Sequence, residues 1–218
     1  MTTFPGSPRL LKGGIVLIDA GTAAVKRVIV LQYSPDTLSR SFQVQAIGGE
    51  SGDRSEALRL KGAPVETIKL EAEIDATDQL EFPDRNPAAT QFGIFPQLAA
   101  LETLIYPTSA QLSNSNRLAQ AGTLEIAPME TPLALFVWSK TRILPVRVTE
   151  LSVTEEAFDP NLNPIRAKVS LGLRVLSVND LGFDHKGGNL FMNYLQQKES
   201  FAAMSAGALN ALGITGIP

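Results

Sequence analysis

From Val65 to Glu81 the chain reads VETIKLEAEIDATDQLE, and its apolar and polar residues alternate one by one. Ile68, Leu70, Ala72 and Ile74 fall on one side of an extended chain, and Thr67, Lys69, Glu71, Glu73 and Asp75 fall on the other. Period two marks a strand with one buried and one wet face. Asp75-Ala76-Thr77-Asp78 follows, and such short oxygen-bearing side chains bond nearby backbone and predict a turn. A strand this regular needs partners.

Upstream, Gly14 to Ile18 and Arg27 to Leu31 are β-branched runs separated by Asp19-Ala20-Gly21-Thr22, which predicts a hairpin. Pro35 presets a turn, and Ser39 to Gln45, with Phe42 and Val44 on one side, predicts a third strand. Downstream, Leu133 to Trp138 is apolar on both faces, as in a central strand. Ser139 to Arg142 is a hairpin-length turn, and Ile143 to Thr154 returns as a strand. The inward positions there are Val146 and Val148, then Leu151 and Val153, a slip of one residue that predicts a β-bulge near Glu150. Ile165, Ala167, Val169, Leu171, Leu173 and Val175 alternate without error and make the longest clean strand.

Helical spacing is rarer. Ile94, Leu98, Leu101 and Ile105 form one stripe, with Pro96 in the first turn and Pro107 as the stop. Tyr106 to Pro128 is polar and reads as irregular, apart from a short strand at Gly122 to Ile126. Ile47 to Gly62 is a polar, glycine-rich loop, either solvated and mobile or ordered by a docking subunit. Val178 to Gly188 reads as a glycine-rich linker. Asn189 is placed to cap a last helix, whose apolar side holds Phe191, Tyr194, Leu195, Phe201 and Met204. These five are the expected partner interface, with packing onto the chain's own barrel as the alternative. The expected division is a β domain over residues 1–177 and a linker with a helical extension over 178–218.

Composition narrows the function. With 44% apolar and 19% charged residues the chain is globular. A net charge of −3 without a basic stripe speaks against nucleic acid. Absence of cysteine removes disulfides and thiolate chemistry. The first residues do not read as a signal peptide, and no apolar run has membrane-helix length, so synthesis and assembly are expected in the cytoplasm, without direct membrane insertion. The lone histidine, His185, lies in the glycine-rich linker. Asp75 and Asp78 read as turn formers rather than a catalytic pair. Glu155, Glu156 and Asp159 lack the pattern of a calcium loop, and Gly48-Gly49 and Gly187-Gly188 lack the Lys-Ser/Thr of a phosphate loop. No enzyme, metal or cofactor is expected.

The order of the blocks is itself informative. LQYSPDTL (Leu31 to Leu38), then GAPVETI with DATDQLE, then LFVWSKTRILPVRVTELSVTEEAFDPNLNPIRAKVSLGLRVL (Leu135 to Leu176) resembles the tube-related baseplate proteins of contractile injection systems. Ser34 and Ser139 stand where that family usually has asparagine and glycine. The resemblance covers roughly Ile15 to Leu176. It implies a phage tail-tube-like β-barrel or sandwich with flanking helices, in a six-subunit ring between the trimeric spike and the inner-tube proteins. Such a subunit is a structural hub adaptor or tube initiator of the baseplate, within a particle that is either released or anchored to a membrane. Many members carry a C-terminal LysM module. The residues after Leu176 lack that pattern, which implies a short form. Alternatives are the main inner-tube subunit of the same particle and an independent β-sandwich binding module.

Overall fold

The alternating segments pair as their parity demands. The computed structural model describes residues 11–46, 59–122, 131–205 and 207–217. Its strands are β1 (Gly14–Ile18), β2 (Val25–Val30), β3 (Leu38–Gln43), β4 (Val65–Asp75), β5 (Leu133–Ser139), β6 (Arg142–Phe158) and β7 (Pro164–Val175). They form one seven-stranded sheet in the order β2-β1-β5-β6-β7-β4-β3, and each pairing is antiparallel. The mainly β architecture with flanking helices is therefore as expected. The strand expected at 122–126 and most of the 47–62 loop lie outside the described residues.

Register explains the core. Ile68, Leu70, Ala72 and Ile74 of β4 lie opposite Leu173, Leu171, Val169 and Ala167 of β7, and all eight are buried. Burial of each larger side chain stabilises the fold by about 1.5–3 kcal/mol before ordering costs. The expected bulge is present, because the β6–β7 register shifts between Val148 and Glu150. Gly172 sits opposite it, and a Cβ there would stand 2.9 Å from the Cβ of Glu150. Trp138 stacks on Phe136 with ring centroids 5.7 Å apart and rests on Gly13, where a Cβ would come within 2.7 Å of the indole.

The outermost strands β2 and β3 are consecutive in the chain, joined by residues 31–37, so the sheet curls until its two ends meet. Side chains of β1, β2, β4, β5, β6 and β7 share one core. Gln32 binds the backbone at the end of β4: its Nε2 donates to Asp75 O at 2.6 Å, and Asp75 N donates to its Oε1 at 2.9 Å. Among the described residues, no strand pairing closes this seam.

A helix covers it. Helices α1 (Thr77–Leu80), α2 (Pro87–Phe92), α3 (Phe95–Glu102) and α4 (Ser109–Gln120) lie between β4 and β5. Helix α3 buries Leu98 and Leu101, with Ile94 just before it. It stops before Ile105, which is exposed. Residues 82–89, expected as loop, hold a 3-10 turn (Pro83–Arg85) and the start of α2. Gly93 has φ 58°, and a Cβ there would meet Pro164 O at 2.1 Å. Helix α4 corrects the irregular reading of Tyr106 to Pro128. Thr108 and Gln111 form a capping box at its start, which satisfies donors that a polar helix otherwise leaves to water.

The C-terminal part also departs from expectation. Helix α5 (Val178–Leu181) and helix α6 (Lys186–Met204) replace most of the predicted linker. His185, not Asn189, caps α6, its Nδ1 accepting from Gly187 N at 3.0 Å. Gly187 and Gly188 are buried. A Cβ on Gly188 would meet Gly182 O at 1.9 Å, and one on Gly187 would meet Leu181 at 2.4 Å. These glycines give close packing rather than looseness.

Candidate assembly surfaces

Helix α6 is fastened to the sheet by an acidic side chain at an inward position. Glu66 shares the parity of Ile68 and Leu70 and is only 3% exposed. Its Oε1 accepts from Arg40 Nε at 2.8 Å and from the Tyr194 hydroxyl at 3.3 Å, and its Oε2 accepts from Lys198 Nζ at 3.0 Å. Arg40 Nη2 also donates to the Tyr194 hydroxyl at 2.7 Å. The ammonium of Lys198 lies 4.2 Å from the Tyr194 ring centre and 5.1 Å from that of Phe42, with the Arg40 guanidinium 4.9 Å from the latter. Two cations thus share one buried carboxylate, the arrangement that keeps a buried charge tolerable. The signal for this site was an acidic residue at an apolar parity.

The five residues expected as a partner interface divide along the helix. Phe191 and Tyr194 are buried in the chain's own core, and Leu195 packs against it. Phe201 and Met204 are exposed. Beyond them Leu212, Ile214 and Ile217 are exposed too, and no charged residue occurs from Ser200 to Pro218.

The sheet's outer face has two characters. Across β4, β7 and β6 it is an ion-pair ladder: Lys69 with Glu150 at 3.4 Å, and Lys168 with Glu156 at 2.8 Å. Arg166 pairs with Asp75 at 2.6 Å and Glu73 at 3.6 Å. Asp75 was expected on the wet face but is buried. Burial pushes its carboxyl up, yet hydrogen bonds from the Thr77 hydroxyl and N–H, with Arg166, hold it below its ordinary value. Across β1, β5 and β6 the outer face is apolar. Ile18, Leu133 and Leu135 are buried there with Leu181 of α5 and Leu190 of α6. Val28 and Val30, on the adjoining strand β2, stay 57% and 56% exposed.

The tip between β6 and β7 is tightly held. Asp159 Oδ1 accepts from Asn161 N at 2.7 Å and Asn163 N at 2.8 Å, and its Oδ2 accepts from Asn163 Nδ2 at 2.8 Å. The Asn163 side chain and N–H, then the Asn161 N–H, hold the Asp159 carboxyl low against the opposing effect of burial. Glu156 is engaged by Lys168. Among the described residues no group of three or more His, Cys, Asp or Glu is arranged for a metal, and no helix is long and apolar enough to cross a membrane.

No protein-family model matches the chain, and no curated protein matches it. Among solved structures it is similar to a chain in the tail of an empty GTA particle with C6 symmetry. That match has 12% identity and a TM-score of 0.28, and covers 75% of this chain and 90% of that one. A chain of the virion of a native gene transfer agent particle matches at 10% identity and a TM-score of 0.27, with the same coverage.

Proposed function

We propose that this chain is a structural, non-enzymatic ring subunit of a contractile phage-tail-like particle, placed as hub adaptor or tube initiator between spike and inner tube. The order of the sequence blocks from Ile15 to Leu176 motivates the reading. The observation that carries it furthest is the apolar strip on the outer face of β2: among the described residues this strand pairs with β1 alone, and it turns Val28 and Val30 outward to solvent. Exposed edges and apolar strips are liabilities in a lone subunit. A closed ring removes them by repeating one heterologous contact.

The adaptor role, rather than that of a stacking tube subunit, rests on the end of α6. Phe201 and Met204 extend past the core contacts of the helix, into a stretch without charge. In this reading they dock on a baseplate partner, while the ion-paired outer face stays solvated. Assembly takes place in the cytoplasm. Particles purified from a strain lacking the chain test the proposal: tubes should fail to initiate, and normal particles would refute it.

A further inference from the structure

Two features of the chain are each incomplete alone. The first is Leu162, at the tip between β6 and β7. It is 77% exposed and has φ 64°, a left-handed conformation that β-carbon sterics disfavour and that glycine or asparagine adopts far more readily. The tip is rigid: the Asp159 hydrogen bonds fix it, Leu162 N donates to Asp159 O at 3.0 Å, and Asn163 Nδ2 reaches Gln91 O at 3.2 Å. Strained, fixed and exposed is an unfavourable combination for a large apolar side chain unless something receives it.

The second is a half-open cavity of about 260 Å³ at the seam where Gln32 meets β4. Ile29, Leu31, Ala72, Ile74 and Ala100 line it. The lining also includes Gln97, whose buried Oε1 has no hydrogen-bond partner among the described residues. Arg27 stands at its side, donating to Thr103 Oγ1 at 2.5 Å.

We infer that the Leu162 tip of one copy seats in the seam cavity of a second copy. The chemistry matches part by part. Leu162 supplies an apolar plug that fits within the volume. Asp159 at the base of the tip is opposite in sign to Arg27 at the cavity. The tip does not line its own seam and is tied to Gln91, so the two meet only between chains. This names a contact through which the proposed ring closes, and to that extent it rests on the ring reading.

The chain has no cysteine, which makes the test direct. Full-length Leu162→Cys and Ala100→Cys proteins are mixed and oxidised. A disulfide demands Cβ atoms about 3.5–4.5 Å apart, so a linked dimer should form several-fold faster than in a mixture of Ser139→Cys with Ala100→Cys. Leu162→Asn, which relieves the backbone, should keep the fold and weaken self-association in sedimentation. Linking no faster than the control, or Leu162→Asn that associates like the parent, overturns the contact while leaving ring formation standing. A parent chain monomeric at every concentration overturns both.

Discussion

The side-chain amide of Gln32 stands in for a strand at the backbone of Asp75, donating to its carbonyl at 2.6 Å and accepting from its N–H at 2.9 Å. One glutamine thereby ties the chain leaving β2 to the end of β4. Gln32→Ala leaves both backbone groups of Asp75 without these partners, at a cost of about 1–3 kcal/mol. Chemical denaturation measures it, and a change within experimental error would mean that the seam is held by α3 alone.

Glu66 is the fastening of α6. Replacing it with leucine removes hydrogen bonds to two cations and a phenol. Bonds to charged groups contribute about 1.5–3 kcal/mol, reduced here because Arg40 and Lys198 retain access to water. The expected outcome is a loss of about 1–3 kcal/mol, with faster amide exchange in α6 than in β7. Uniform exchange changes would show that the cluster does not act on the helix.

Asp75 makes stability depend on acid. Its folded carboxyl lies below the unfolded value of 3.8. Its contribution is therefore fully present above that value and is lost as pH falls through the lower folded one. Asp75→Asn should flatten the stability profile below about pH 4. An unchanged acid slope contradicts the assignment.

The two halves of α6 should respond differently to truncation. Ending the chain after Ser177 removes Phe191 and Tyr194 from the core, and each large aromatic lost from a core costs about 3–5 kcal/mol. That protein should not remain folded. Ending it after Glu199 removes exposed Phe201 and Met204 and should leave the melting temperature unchanged while reducing recovery in particles. Retained assembly would remove the docking role of the C-terminal end.

The strands and the bulge at Glu150 were legible because side-chain parity in a strand is a local property. Helix α4 was not, because its twelve residues hold only two large apolar side chains, Leu112 and Leu118, and it buries none. Its Thr108–Gln111 box was the available signal. Gly187 and Gly188 misled, since glycine serves both freedom and close approach, and only the position of Gly182 O distinguishes them. The Gln32 clamp spans 43 positions and leaves no local trace. Glu66 could have been found: an acid at an inward position needs a partner, though not which one.

A ring adaptor is distinguished from a tube subunit by its copy number and position in purified particles, read by electron microscopy with a label on the chain. One six-membered ring at the base of the tube is expected, and no tube without it. Label along the whole tube, or particles that assemble normally in its absence, would contradict it.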